Sequence, residues 1–511
     1  MQVNRDVERA LAFHELTKHS YISVRTTAHW LDWANRPYPF KIYLDLPTIS
    51  LPKDFPKPET DTLKTLCEKA DGVSRRIDIQ TLASLLYFTA GITREKTYPD
   101  GKIYFRAAPA TGALYPIEVY VVAGDVDGLE PGVYHFSPRL FGLTLIRAGD
   151  YRWELGSSSS MDIMESQATL IFTSIGWRNA WKYRERSYRH WFWDSGVMVA
   201  NLLASAAALG VRARMVMGFI DSAVNRIVGV DGRREASILL IPLGRGVKAA
   251  QKTVADPVEL RTAPLSKHEV EYPEIYAVHE ASSLNSAVEV DEWVRLAQQP
   301  SDDWRVDVRQ PVIQSSKPLW QTILSRGSTR RFSQEPISEG ELNTIIACST
   351  YPIDADFIPE GGSYISIYLI VNSVEGLSPG AYFYDRVGGR LELLKKGGFR
   401  RVAGYLCLEQ ALGEDASVVF FLMTHLGRGL ERMGNRGYRA VQLEAGVMAG
   451  RIYLASYSLG LGATGLTFYD DDVTEFFSPH GVGKSNLIVV AVGKPAYKAR
   501  AGRIIAGVDK Q

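Results

Sequence analysis

Arg326, Ser328 and Arg330 alternate along the stretch LSRGSTRRFSQ. In extended chain, alternate side chains share one face. Two guanidinium groups and a hydroxyl brought together in this way suit a phosphate monoester, although a solvated basic turn has the same composition. Ser338 and Glu341, just beyond, have capping-box spacing and should open a helix. Two other motifs imitate nucleotide sites. GLGATG, from Gly460 to Gly465, satisfies a dinucleotide pattern, but a helix-like run precedes it and a strand-like run follows, the reverse of what that pattern needs. SPHGVGKS, from Ser478 to Ser485, lacks the first glycine of a phosphate loop and leads into the apolar run NLIVVAVG, a strand rather than a helix. Both read as turns. The histidines have no metal spacing, and Cys67, Cys348 and Cys407 are far apart in sequence, so no metal is expected and the cysteines read as buried free thiols.

The elements that must carry these residues are written twice. VDGLEPGVYHF, from Val126, returns as VEGLSPGAYFY, from Val374, with Gly128, Pro131, Gly132 and Tyr134 answered by Gly376, Pro379, Gly380 and Tyr382. ATLIFTSI from Ala168 matches ASVVFFLMT from Ala416, and ASILLIPLG ending at Gly244 matches NLIVVAVG ending at Gly493. RSYRHWFWDSGVMVANLLASAAALG from Arg186 matches RGYRAVQLEAGVMAGRIYLASYSLG from Arg436. A period this long, with so little drift, means two homologous domains rather than a solenoid. Each copy mixes helices and strands without strict alternation, which gives an α+β class. The expected layout is a first domain at 1–250, a polar, proline-containing linker at 251–286 and a second domain at 287–511. Gly196, Ala200 and Ala204 in one long helix, and Gly446 and Gly450 in the other, put small residues on one face. That face predicts an interface between the halves, an internal pseudo-dimer.

Composition narrows the class. With 511 residues, 46% hydrophobic, 23% charged and a net charge of +1, the chain reads as an ordinary globular protein of more than one domain. It has no basic runs suited to nucleic acid and no apolar stretch suited to a membrane span. The charged start, MQVNRDVERALAFHELTKHS, does not resemble a signal peptide, so a cytoplasmic location is expected.

RGSTRRFSQEPIS resembles the opening signature of the flavin-dependent nitroreductase superfamily, and RAAPATGALYPIEVYVV, from Arg106, is similar to the flavin loop of its SagB/ThcOx-type dehydrogenases. FHELTKHS, from Phe13, and WKYRERSYR, from Trp181, also resemble that branch. The resemblance implies a dimer-like fold with FMN between the halves, two halves of one chain replacing the family homodimer, and a small molecule or peptide as substrate. It places Arg326, Ser328 and Arg330, with Lys498 and Arg500, on the FMN phosphate. The loop Pro109 to Pro116, with Pro109, Ala110, Thr111, Gly112 and Leu114, would lie on the ring, and Thr467 would bring an amide near flavin N5. Ala110 stands where the family usually has Ser, removing a hydroxyl contact. Lys182 and Tyr183 match a Lys-Tyr pair implicated in proton abstraction from an azoline ring. A lysine base needs a lowered pKa, which burial among Trp177, Trp181 and Trp191 would supply. The second composite site looks eroded: Gly72 replaces the first arginine, Ser74 and Arg76 remain, PEGGSYIS replaces the ring loop, and Gly218 keeps the amide position. One FMN per chain is expected, serving hydride transfer through N5, with peptide azoline oxidation and NAD(P)H-dependent nitro or quinone reduction both open. A degenerate flavin fold that binds flavin or peptide without turnover is the alternative, and a scaffold within a biosynthetic complex is a third reading.

Overall fold

The computed structural model describes residues 3–27, 29–67, 75–98, 101–301 and 304–508. Long apolar runs form the centres of two antiparallel sheets. Ile117–Ala123, Ala168–Ile175 and Glu235–Leu243 in the first half are buried along their whole length, and so is Val418–Thr424 in the second. Strands covered on both faces need no polar alternation, which is why these segments read as continuous hydrophobic stretches. The first sheet runs Thr48–Ser50, Gly142–Ala148, Gly132–Ser137, Ile117–Ala123, Ala168–Ile175, Glu235–Leu243. The second runs Arg390–Lys396, Gly380–Asp385, Ser366–Val371, Val418–Thr424, Ser485–Gly493, Gly462–Leu466. The α+β expectation holds, with two copies of one sheet plan.

The repeated turn is repeated in detail. Gly128 and Gly376 take φ of 81° and 86°, where a side chain would be strained. Tyr134 donates its hydroxyl to the Glu130 carbonyl at 2.8 Å, and Tyr382 donates to Ser378 at 2.7 Å. In one respect the strand matching needs correction. Ala168 pairs with Leu243, and Val418 with Val492. Because Leu243 and Val492 are equivalent, Ala168 answers to Val418, not Ala416. A two-residue slip leaves every side chain on its own face, so an apolar run cannot reveal it.

The halves meet along the long helices Ser187–Ala208 and Arg436–Ser458. A Cβ on Gly196 would stand 2.7 Å from the Gly446 backbone, and one on Gly446 would stand 2.8 Å from the carbonyls of Phe192 and Trp193. The small-residue face is therefore the crossing point. On either side of it sits a buried ion cluster. Arg186 and Arg189 hold Asp470 at 2.9 and 2.8 Å, and Arg436 and Arg439 each hold Asp221 at 2.7 Å. Each half thus grips an aspartate of the other. Burial would raise the Asp470 carboxyl, but the two guanidinium groups outweigh it and hold the pKa at about 2.

Each aspartate also receives a second segment. His19 N–H donates to Asp470 at 2.8 Å after the helix Glu8–Leu16, and Leu284 N–H donates to Asp221 at 2.9 Å after Pro273–Ala281. The stretch expected as linker therefore contains a helix that mirrors the N-terminal one. The chain's end also crosses halves, with Arg503 N–H donating to Thr93 O at 2.8 Å and Val508 N–H to Arg139 O at 2.7 Å. Although remote in sequence, Cys67 and Cys348 bring their thiols to 3.4 Å across the two halves, both buried and unbridged. Among the described residues no helix is long and apolar enough to cross a membrane. The capping box of Ser338 and Glu341 forms as expected.

Candidate functional site

The loop between strands Gly101–Arg106 and Ile117–Ala123 is held in an unusual backbone conformation. Gly112, Ala113 and Tyr115 all have positive φ, at 64°, 53° and 51°. Two non-glycine residues in this region cost free energy, so the surroundings must enforce the shape. They do so through Asp194 of the first long helix, whose carboxylate accepts from Thr111 N–H at 2.9 Å and Thr111 Oγ at 2.7 Å. The Tyr115 hydroxyl accepts from Arg106 N–H at 3.1 Å, and Arg178 donates to the Tyr115 carbonyl at 3.0 Å. Leu114 and Tyr115 are buried beneath the loop, while Pro109, Ala110 and Thr111 are partly accessible and Gly112 is exposed.

Lys182 and Tyr183 end the helix Gly176–Tyr183. A Cβ on Gly112 would come within 2.8 Å of the Tyr183 hydroxyl, so Tyr183 overlies the loop. Lys182 is half-buried, and its pKa is lowered first by loss of solvent and then by the charges of Arg36 and Arg330. Trp177, Trp181 and Trp191 are core residues. Burial pushes the Tyr183 phenol upward, with Asp194 adding to it. Burial also raises Asp194, to about 7. His190 packs edge-on to Tyr183 at 4.7 Å and bonds Asn179 at 2.5 Å.

The second half supplies the other wall. Arg326 is buried and donates to the carbonyls of Ala107 and Arg106 at 3.0 and 2.9 Å. Its guanidinium is committed to the base of the first half's loop, a role its type and spacing did not disclose. Ser328 Oγ lies 3.4 Å from the Tyr453 hydroxyl. Arg330 is exposed and its N–H donates to Tyr497 OH at 3.0 Å. Ala496 N–H to Arg331 O at 3.0 Å and Gly502 N–H to Leu324 O at 2.8 Å run the final segment alongside, which brings Lys498 and Arg500 to the same flank. Among the described residues, no carboxylate pairs with Arg330, Lys498 or Arg500. Thr467 follows the strand Gly462–Leu466, and its N–H has no acceptor among those residues. Unlike Arg326, this group matches the chemistry of an anion's donor set.

The pseudo-equivalent place is filled from within. Gly218 N–H and Met217 N–H each donate to the buried Asp356 carboxylate at 2.8 Å. A Cβ on Gly218 would meet Val294 at 2.5 Å and Val290 at 3.4 Å, both on the helix Ala287–Ala297. Arg76 is bound by Asp125 at 2.7 Å and Asp127 at 2.8 Å, while Gly72 and Ser74 lie outside the described residues. Glu444 repeats the role of Asp194: it accepts from Tyr364 N–H at 3.1 Å and burial raises it to about 7. Asp194, Asn179 and Asp356 were not singled out from sequence. The one available signal was that Asp194 and Glu444 are acidic at matching positions of the two long helices.

A solved structure of an Anabaena variabilis protein assigned as a nitroreductase superposes with a TM-score of 0.75, is 27% identical and covers 95% of this chain and 99% of its own. A Methanocaldococcus jannaschii protein assigned to the nitroreductases is 28% identical over 34% of this chain and 84% of its own length. The microcin B17-processing protein of Escherichia coli is 25% identical over 44% of this chain and 82% of its own. The trifolitoxin-processing protein of Rhizobium leguminosarum bv. trifolii is 32% identical over 30% of this chain and 43% of its own. The Nitroreductase family model matches twice, at residues 54–245 and 323–494. With one match on each sheet, the chain is a tandem member of the Nitroreductase family.

Proposed function

We propose that this oxidoreductase-family chain binds one FMN between its halves and dehydrogenates an azoline-bearing peptide. The observation that carries the reading is the basic flank of Arg330, Lys498 and Arg500, without a carboxylate partner among the described residues, while the equivalent place is plugged. FMN there would supply a two-electron hydride acceptor. Arg330, Lys498, Arg500 and Ser328 would hold its phosphate, and the loop from Pro109 to Leu114 and the Thr467 N–H would serve its ring. Arg326 positions the loop through the Arg106 and Ala107 carbonyls. Lys182, its pKa lowered by burial and two neighbouring guanidinium groups, takes the substrate proton. The Tyr183 hydroxyl, kept protonated, orients the ring being oxidised.

Support for a peptide substrate comes from the two processing proteins among the relatives, and support for aromatising chemistry from the Lys-Tyr pair. Anaerobic mixing of the flavin-loaded chain with an azoline-bearing peptide should bleach the flavin within the turnover time, whereas NADPH should not. Rapid bleaching by NADPH alone would make it a pyridine-nucleotide reductase. Bound flavin that neither reagent reduces would favour binding without turnover, the reading to which Ala110 lends weight.

A further inference from the structure

The outermost strands of the two sheets correspond, but one has a neighbour and the other does not. In the first half, Gly142–Ala148 is paired with Thr48–Ser50, with Thr48 opposite Thr144 and Ser50 opposite Gly142. The chain leading into that added strand also delivers Lys41 and Tyr43. Lys41 Nζ donates to Tyr120 OH at 2.8 Å and pairs with Glu235. The Tyr43 hydroxyl lies 2.9 Å from that of Tyr120, and its ring meets His135 edge-on at 5.4 Å.

In the second half the corresponding strand, Arg390–Lys396, ends its sheet, and no strand among the described residues pairs with its outer edge. Tyr120, His135 and Glu235 are answered there by Tyr368, Phe383 and Lys484, so the charge in the cluster has changed sign. Lys484 Nζ donates to Tyr368 OH at 2.6 Å and lies 5.2 Å from the Phe383 ring centre. Tyr368 OH is 2.8 Å from His480 Nδ1. No carboxylate pairs with Lys484 among the described residues. Burial, then Arg386 and Arg428, lower its pKa to about 8, as expected of a cation without a counter-ion. The nearest acid on the edge strand, Glu392, lies 3.5 Å from Arg390.

We propose that the outer edge of Arg390–Lys396 takes up an extended acidic segment of a partner protein as an added strand, with a carboxylate on the chain leading into that strand, in the place Lys41 holds in the first half, set against Lys484. The first half shows the arrangement already completed in cis, with the signs reversed. An unpaired edge offers N–H and C=O groups to such a segment, and side chains at alternate positions give selectivity. A second copy is a poor occupant. The strand carries Arg390, Lys395 and Lys396 against one Glu392, so two such edges would oppose like charges.

The test titrates the full chain with a labelled peptide of about fifteen residues, one Glu followed about seven positions later by an alternating Thr and Val stretch, and with its Lys counterpart. Anisotropy and amide hydrogen exchange are followed together. The Glu peptide should bind at least about tenfold more tightly and slow exchange across 390–396. Lys484→Glu should reverse the preference, and Lys484→Gln, which keeps the Tyr368 hydrogen bond within reach, should abolish it. Equal affinity for the two peptides, protection elsewhere, or sedimentation showing two copies already joined through this edge would overturn the proposal.

Discussion

At one junction of the halves the N–H of Thr467 has no acceptor among the described residues, and at the equivalent junction Gly218 N–H donates to Asp356 at 2.8 Å. At the first, Arg330 is an exposed cation without a carboxylate partner among those residues. At the second, Arg76 is bound by Asp125 and Asp127, and Val290 and Val294 occupy the space beside the amide. The duplicated plan has been resolved differently on its two sides. A buried carboxylate and two valines meet, within the chain, the needs that a ligand's polar and apolar surfaces would meet. Closing a site in this way satisfies its buried donors, while an open site leaves them for a ligand.

What both junctions share is the helix crossing, so breaking it should abolish the comparison altogether. Gly446→Leu would drive a side chain into the carbonyls of Phe192 and Trp193, and overpacking against backbone should cost more than about 3 kcal/mol, read as loss of soluble folded chain or a large fall in Tm. The next effect belongs to one junction only. Lys182→Met should slow flavin reduction by the azoline peptide about 100-fold without changing flavin content, while the equivalent Arg432→Met should leave the rate unchanged. Arg330→Ala should weaken FMN binding about tenfold or more, measured by ultrafiltration, whereas Arg76→Ala, on the plugged side, should not.

The smallest expected effect concerns acidity, and here the junctions should behave alike. Burial raises Asp194 and Glu444 to about 7, so the folded chain holds these protons at a pH where the unfolded chain has lost them. Stability from the pair is greatest below about pH 4 and falls as pH rises toward 7. Asp194→Asn should flatten that decline in a series of thermal melts, and a steeper decline would contradict it.

Much of the fold was legible because the repeat preserves residues whose roles are local. Gly128 and Gly376, and Tyr134 and Tyr382, build the same turn from nearby atoms, and Ser338 with Glu341 caps a helix within one turn. The small faces of the long helices also spoke plainly, since only a close backbone approach needs Gly196 and Gly446 together. What did not show was pairing over distance. Nothing near Asp221 or Asp470 announces two arginines from the other half, and Cys67 and Cys348 meet only because helices from both halves converge. Arg326 looked like its neighbour Arg330, yet one is spent on backbone carbonyls and the other is exposed. The helix Pro273–Ala281 was hidden in a polar stretch because its counterpart, Glu8–Leu16, lies outside the apolar runs that expose the repeat.

The most direct test counts flavin released from the purified chain, using its visible spectrum and polypeptide concentration. One open and one plugged junction predict about one FMN per chain, unchanged in Arg76→Ala and in Asp356→Asn, and largely lost in Arg330→Ala. Two flavins per chain, or flavin retained in full by Arg330→Ala, would contradict the account.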